Sequence, residues 1–125
     1  MIKETIKYTD YNGNELVEDF YFNLSKSEIA EMELSYPNGL ANHITKITQS
    51  NNGAEIIKLF KNLILSSYGR KSDDGKRFIK NVEESNAFSQ TEAYSELFMK
   101  LATNADAAAE FVNGIIPKQL ESTQK

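Results

Sequence analysis

The chain has 125 residues, of which 40% are apolar and 26% charged, and its net charge is −4 at pH 7. This length and composition predict one globular domain with one core, and the acidic balance argues against a general nucleic-acid binder. The sequence contains no cysteine, which excludes disulfides, thiolate nucleophiles and cysteine-ligated zinc, and no apolar run is long enough for a membrane span. We therefore expect a soluble, intracellular protein.

The first segment of the chain has the pattern of a β-hairpin. Apolar and polar residues alternate imperfectly after Ile2 and more strictly from Leu16 to Leu24, which is typical of strands. The Asn12-Gly13 pair between these runs tolerates the positive φ angles of a tight turn. We expect a hairpin over about residues 2–23 that packs against the rest of the domain or another subunit, since a lone hairpin is only marginally stable.

Two short helices are predicted next. Ser25 and Glu28 have the spacing of a capping box, in which both side chains bond free backbone amides of a first turn. This helix must end before Pro37, whose ring is incompatible with a helix interior. A second helix is expected from Leu40 to about Thr48.

The strongest helical pattern covers residues 54–68, with Gly69 as the expected stop. Its apolar residues recur at spacings of three and four: Ile56, Ile57, Phe60, Leu63 and Ile64. Residues 69–77 are expected to form a charged loop. The apolar pair that follows, Phe78-Ile79, fits either a strand or one turn of helix.

Two more helices are predicted towards the C-terminus. Ser89 and Glu92 repeat the capping-box spacing, and Asn104 can cap a last helix that Pro117 closes.

The predicted fold class is therefore α+β, with an N-terminal β-hairpin followed by a bundle of four to five α-helices. A single domain is expected over residues 1–117, with its helical part at about 25–116. Residues 118–125 are polar and are expected to form a flexible tail.

Three motifs that could suggest chemistry fail on spacing or composition. Between Gly69 and Gly75 there are five residues, whereas a phosphate loop needs four, and Arg77 stands where the magnesium-binding hydroxyl belongs. Residues 10–15 resemble the start of a calcium loop, but Glu15 occupies the position that requires glycine. His43, the only histidine, has no carboxylate close in sequence to orient it.

These failures leave no predicted catalytic, cofactor-binding or metal-binding residue, and we expect that the protein is not an enzyme. A catalytic triad assembled from distant positions stays open at this point. A small hydrolase or nuclease is therefore kept as an alternative.

An aromatic surplus in the C-terminal half suggests two compatible roles. The aromatic residues can form one core, and part of their surface can form a groove for an apolar partner helix. The residues predicted to bind a partner are Phe60, Phe88, Tyr94, Phe98 and Phe111.

The region from Ile57 to Pro117 resembles the tail assembly chaperones encoded just before the tape measure protein in many siphophages of Gram-positive bacteria. The resemblance lies in two segments, KLFKNLILSSYGRKSDDGKRFIKN and FSQTEAYSELFMKLATNADAAAEFVNGIIP, which have the order and spacing of that family and cover about half the chain. The hairpin followed by a serine-capped helix is similar too.

The resemblance implies a function in tail morphogenesis. Such a protein would bind the tape measure protein, keep it soluble and help to recruit tail tube subunits. It would self-associate, associate with a frameshifted longer form, act in the host cytoplasm and be absent from the mature virion. Neither nucleic acid nor membrane is an expected partner. The alternative is a structural virion component, either a head–tail joining protein or a tail protein.

Overall fold

The computed structural model describes residues 1–36 and 38–116 and contains a four-stranded antiparallel sheet with the strand order β1-β2-β3-β4. In chain order the elements are β1 Ile2–Thr9, β2 Glu15–Phe22, α1 Lys26–Ser35, α2 Gly39–Gln49, α3 Gly53–Ser67, β3 Tyr68–Lys71, β4 Phe78–Ile79, α4 Val82–Ser89, α5 Glu92–Thr103 and α6 Ala105–Ile115. The α+β class with an N-terminal hairpin is confirmed. Pro37, Pro117 and the tail predicted at 118–125 lie outside the described residues.

The predicted hairpin is present, and its turn is organised by Asp10. Strands β1 and β2 pair along their whole length, from Ile2 opposite Phe22 to Thr9 opposite Glu15. The Asp10 carboxylate accepts hydrogen bonds from the backbone amides of Asn12 and Asn14, both at 2.9 Å. Gly13 takes the positive φ of +84° that this turn requires.

Local capping explains most helix starts. The Ser25–Glu28 capping box forms as predicted at the start of α1, and Asn104 caps α6 by accepting the Ala107 amide. The capping box predicted at Ser89 is wrong. Thr91 caps α5 instead, and Ser89 ends the preceding helix.

That preceding helix, α4, raises the number of helices in the described residues to six, against the four to five predicted. Asn81 caps this helix, and Phe88 is its one buried residue. Because a single buried residue gives no repeat of apolar positions, the sequence shows no helical period here. Residues 69–77, predicted as a loop, are partly in a strand. Residues 68–71 form β3, and Phe78-Ile79 form β4 beside it.

Four aromatic side chains join elements that lie far apart in the sequence; we call Phe22, Tyr68, Phe88 and Phe111 the aromatic junction. The Phe22 ring lies 5.8, 5.8 and 5.3 Å from those of Tyr68, Phe88 and Phe111, and Tyr68 stacks on Phe88 at 4.2 Å. Each well-oriented aromatic pair adds about 0.5–1.5 kcal/mol beyond the burial of its area. The junction therefore ties the hairpin to α4 and α6 at the centre of the core.

A second tie is polar and centred on Lys80. Its ammonium donates to both Glu28 carboxylate oxygens at 2.6 and 2.5 Å and to the backbone carbonyls of Asn23 and Ser66 at 2.9 and 3.1 Å. Burial raises the pKa of Glu28, but the bonds from Lys80 and the Ser25 amide outweigh it, so its pKa is lowered. The sheet is thereby fixed to α1 and α3.

Helix α5 packs along β1, the edge strand at the opposite end of the strand order from β4. The Tyr11 hydroxyl in the hairpin turn donates to Glu92 at 2.8 Å, and the Lys100 ammonium donates to Glu4 at 3.3 Å. These two bonds sit near opposite ends of α5, so α5 runs from the turn towards the start of β1.

Candidate functional site

An apolar groove of about 600 Å³ lies between α2, α3, α5 and α6. We call it the client groove, after the binding role that we propose for it. Its lining residues are Ile44, Thr48, Phe60, Leu101, Ala102, Thr103, Ala105, Ala108, Ala109, Val112 and Asn113. None of these side chains carries a charge. The polar groups in the lining are two threonine hydroxyls and one amide.

Side-chain size explains why this groove stays open. Phe60 and Leu101 are nearly buried, at 7% and 2% exposure, and form the floor. The wall from α6 consists of Ala105, Ala108, Ala109, Val112 and Asn113, and its three alanines have short side chains that fill little of the space. Ile44 and Thr48 of α2 form the opposite wall, so the space between the two helices stays unfilled.

A second apolar depression of about 340 Å³ lies between α3 and α5. It is lined by Ile57, Lys61, Ser89, Tyr94, Ser95, Phe98 and Met99. Ile57 and Met99 are 51% and 55% exposed. Ile57 lies one helical turn from Phe60, and Phe98 lies one turn from Leu101. The depression therefore continues the floor of the client groove along the same two helices.

The five residues predicted to bind a partner do not form one patch. Phe88 and Phe111 are buried in the aromatic junction. Phe60 lies in the floor of the client groove, whereas Tyr94 and Phe98 are half-buried in the second depression, with their rings 5.9 Å apart. Phe60, Tyr94 and Phe98 thus lie on the exposed surface between α3 and α5, which includes the groove floor and the second depression.

Sequence reasoning missed the two walls of the groove. On α2 the missed residues are Ile44 and Thr48, and on α6 they are Ala105, Ala108 and Ala109, which belong to the alanine-rich run at 105–109. A cluster of small residues on an otherwise amphipathic helix was the one available signal. It indicates close approach or unfilled space, but it does not say which.

The tyrosine phenols near the sheet and the second depression have raised pKa values. The hydrogen bond to Glu18 raises the pKa of Tyr8 to about 12, and burial raises the pKa of Tyr68 and Tyr94. All three therefore stay protonated at neutral pH and act through packing and hydrogen bonding.

His43 packs against an aromatic ring. Its imidazole stacks on Tyr36 with ring centres 3.9 Å apart, beside a depression that also contains Glu55 and Lys58. In the part of the chain that the structure describes, no group of three or more His, Asp or Glu side chains is placed to hold a metal ion. Across residues 1–36 and 38–116, no helix is both long and apolar enough to cross a bilayer.

The fold and its open surfaces define a small α+β domain with an uncharged, mostly apolar groove between four of its helices. A family model described as phage tail assembly chaperone matches residues 1–125, and the chain belongs to this family. The resemblance found in the sequence is confirmed. No curated protein and no solved structure matches the chain.

Proposed function

We propose that the protein is a non-enzymatic chaperone that binds the tape measure protein during phage tail assembly. Its client groove receives an apolar helix of that protein. Membership of the tail assembly chaperone family supports the general role. The observation that carries the more specific proposal is the uncharged groove of about 600 Å³, whose floor is formed by Phe60 and Leu101.

The dimensions of the groove suit a short stretch of helix. The wall from Ala105 to Asn113 extends over about 12 Å along α6, at about 1.5 Å per residue. That length corresponds to two turns of a client helix and to apolar side chains at positions i, i+3 or i+4, and i+7. Burial of such side chains against Phe60 would shield them from aggregation.

One groove of this size gives modest affinity, so a long client needs many copies. Many copies along one tape measure protein would together bind far more tightly than one, because each bound copy raises the local concentration of the next contact. We propose that the protein self-associates on its client, pairs with a frameshifted longer form and helps to recruit tail tube subunits. It would act in the host cytoplasm and leave before the virion is complete.

Co-expression with the tape measure protein of the same phage tests the proposal directly. Ala109 is exposed in the groove wall, so Ala109→Trp would fill the groove without disturbing the core. The matched control is Ala30→Trp, which places the same side chain at an exposed position of α1. We expect the wild type and Ala30→Trp to keep the client soluble and Ala109→Trp to lose it.

Two results would contradict different parts of the proposal. A wild-type protein that leaves the client insoluble would refute the chaperone function. A folded Ala109→Trp variant that still solubilises the client would refute the groove as the site. Mass spectrometry of purified virions is a separate check, since stoichiometric amounts in the virion would favour a structural component.

A further inference from the structure

The α6 side of the client groove has an acidic outer rim. Asp106, Ala109, Glu110 and Asn113 follow the spacing i, i+3, i+4, i+7, which places them on one stripe of the helix. Ala109 and Asn113 line the groove, and Asp106 and Glu110 are exposed beside them. The three ion pairs within the described residues involve other carboxylates, those of Glu4, Glu28 and Glu84.

The α2 side of the groove differs in charge. Thr45, Thr48 and Gln49 are exposed and follow the spacing i, i+3, i+4, so the rim next to Ile44 is neutral. Lys46 is two residues beyond Ile44, about 200° around the helix, and points away from the groove. The groove therefore combines an apolar floor with negative charge along one side.

We propose that the client groove selects amphipathic helices that carry Lys or Arg along the side that lies against α6. This specificity rests on the proposed function and adds the chemistry of the partner to it. A cation placed one turn from the apolar stripe of the client would lie over Asp106 and Glu110 while its stem covers Ala109. Because both carboxylates are exposed, the effect should be modest and weakened by salt.

Three synthetic peptides test this charge selection. They share one helical apolar stripe and carry lysine, glutamine or glutamate on one flank. Fluorescence anisotropy would measure their affinities for the full chain at low and high salt. We expect the lysine peptide to bind about 3- to 10-fold more tightly than the glutamine peptide at low salt, with the glutamate peptide weakest and the differences shrinking at high salt.

Variants separate the rim from the net charge of the chain. The double substitution Asp106→Asn with Glu110→Gln should remove the preference for the lysine peptide. The affinity for the glutamine peptide should stay unchanged. Asp73→Asn with Glu31→Gln removes the same charge from exposed positions elsewhere and should preserve the preference. The double substitution Asp106→Lys with Glu110→Lys should reverse the preference, so that the glutamate peptide binds most tightly. A loss of stability alone would weaken the binding of all three peptides and could not invert their order.

Equal affinities of the three peptides for the wild type would overturn the inference, as would equal effects of the rim pair and the control pair. The same rim variants should be tested against the tape measure protein. If the wild type binds that client and the rim variants bind it equally well at low salt, the charge selection is wrong and the proposed function stands. If the wild type does not bind the client at all, the proposed function fails.

Discussion

The aromatic junction and the client groove lie in the same small domain and contain the same helix, α6, yet they are built in opposite ways. On its inner side α6 places Phe111, fully buried, against Phe22. On its other side it presents alanines to a groove of about 600 Å³. Large side chains thus fix the scaffold where distant segments meet, and small ones leave an open groove beside it.

The strongest test of the scaffold half of this comparison is Phe22→Ala. Its ring is buried against three others in the aromatic junction, so the substitution should lower the free energy of unfolding by about 3–5 kcal/mol. Urea denaturation followed by circular dichroism measures this. Val82→Ala, at a side chain that is mostly exposed, should change it by less than about 0.5 kcal/mol. Equal effects of the two would show that the junction is not the centre of the core.

A glycine in the sheet provides the next largest effect. A Cβ atom on Gly69 would lie 2.7 Å from the Phe78 ring and 2.9 Å from the Ile79 carbonyl oxygen. Gly69→Ala should therefore push β3 and β4 apart and cost about 1–3 kcal/mol. Gly53→Ala meets no atom within 4 Å and serves as the control, which thermal melts should show to be neutral or slightly stabilising. A neutral Gly69→Ala would mean that the two strands do not pack this closely.

The Lys80 tie predicts a dependence of stability on pH. The pKa of Glu28 is lowered in the folded state, so its contribution is present above the ordinary glutamate pKa of about 4.3 and is lost as the pH falls through the folded value. Lys80→Met should cost about 1–2 kcal/mol at pH 7, since the Glu28 carboxylate and the backbone carbonyls of Asn23 and Ser66 lose their donor.

Urea titrations at several pH values between 7 and 3 measure this effect. The gap in unfolding free energy between wild type and Lys80→Met should narrow as Glu28 protonates. A gap that stays constant down to pH 3 would show that the lysine acts through its backbone acceptors and not through Glu28.

A substitution in the second depression should have the smallest effect on stability. It should still have a measurable effect on binding. Met99 is 55% exposed there, so Met99→Ser should change the unfolding free energy by less than about 0.5 kcal/mol. If the client helix extends beyond the groove, the substitution should weaken its binding about 3- to 10-fold, as judged by titration with a tape measure fragment. Unchanged affinity would confine the client contact to the groove itself.

Sequence reasoning succeeded where the signal is local. The capping box at Ser25, the cap at Asn104 and the hairpin turn at Gly13 are each set by a few neighbouring residues. It failed for α4 and for the cap at Ser89. There, a competing cap at Thr91 and a single buried residue, Phe88, decide the boundaries.

The candidate site could be predicted only in part. Phe98 and Phe111 are the same residue type, both on amphipathic helices, and only tertiary packing makes one half-buried and the other fully buried. The groove also depends on the distance between α2 and α6, which are more than fifty residues apart in the sequence. No local pattern encodes that distance, so the walls at Ile44 and Ala109 could not be found in advance.

Amide hydrogen exchange of the chain, alone and with a tape measure fragment bound, measures the central claim most directly. Helices that wall a binding groove open more rarely when a partner fills it, so exchange should slow in residues 44–48 of α2 and 105–113 of α6. The aromatic junction should change little, because it is already closed. Slowed exchange confined to the hairpin around Thr5 and Val17, with α2 and α6 unchanged, would contradict the groove as the client site.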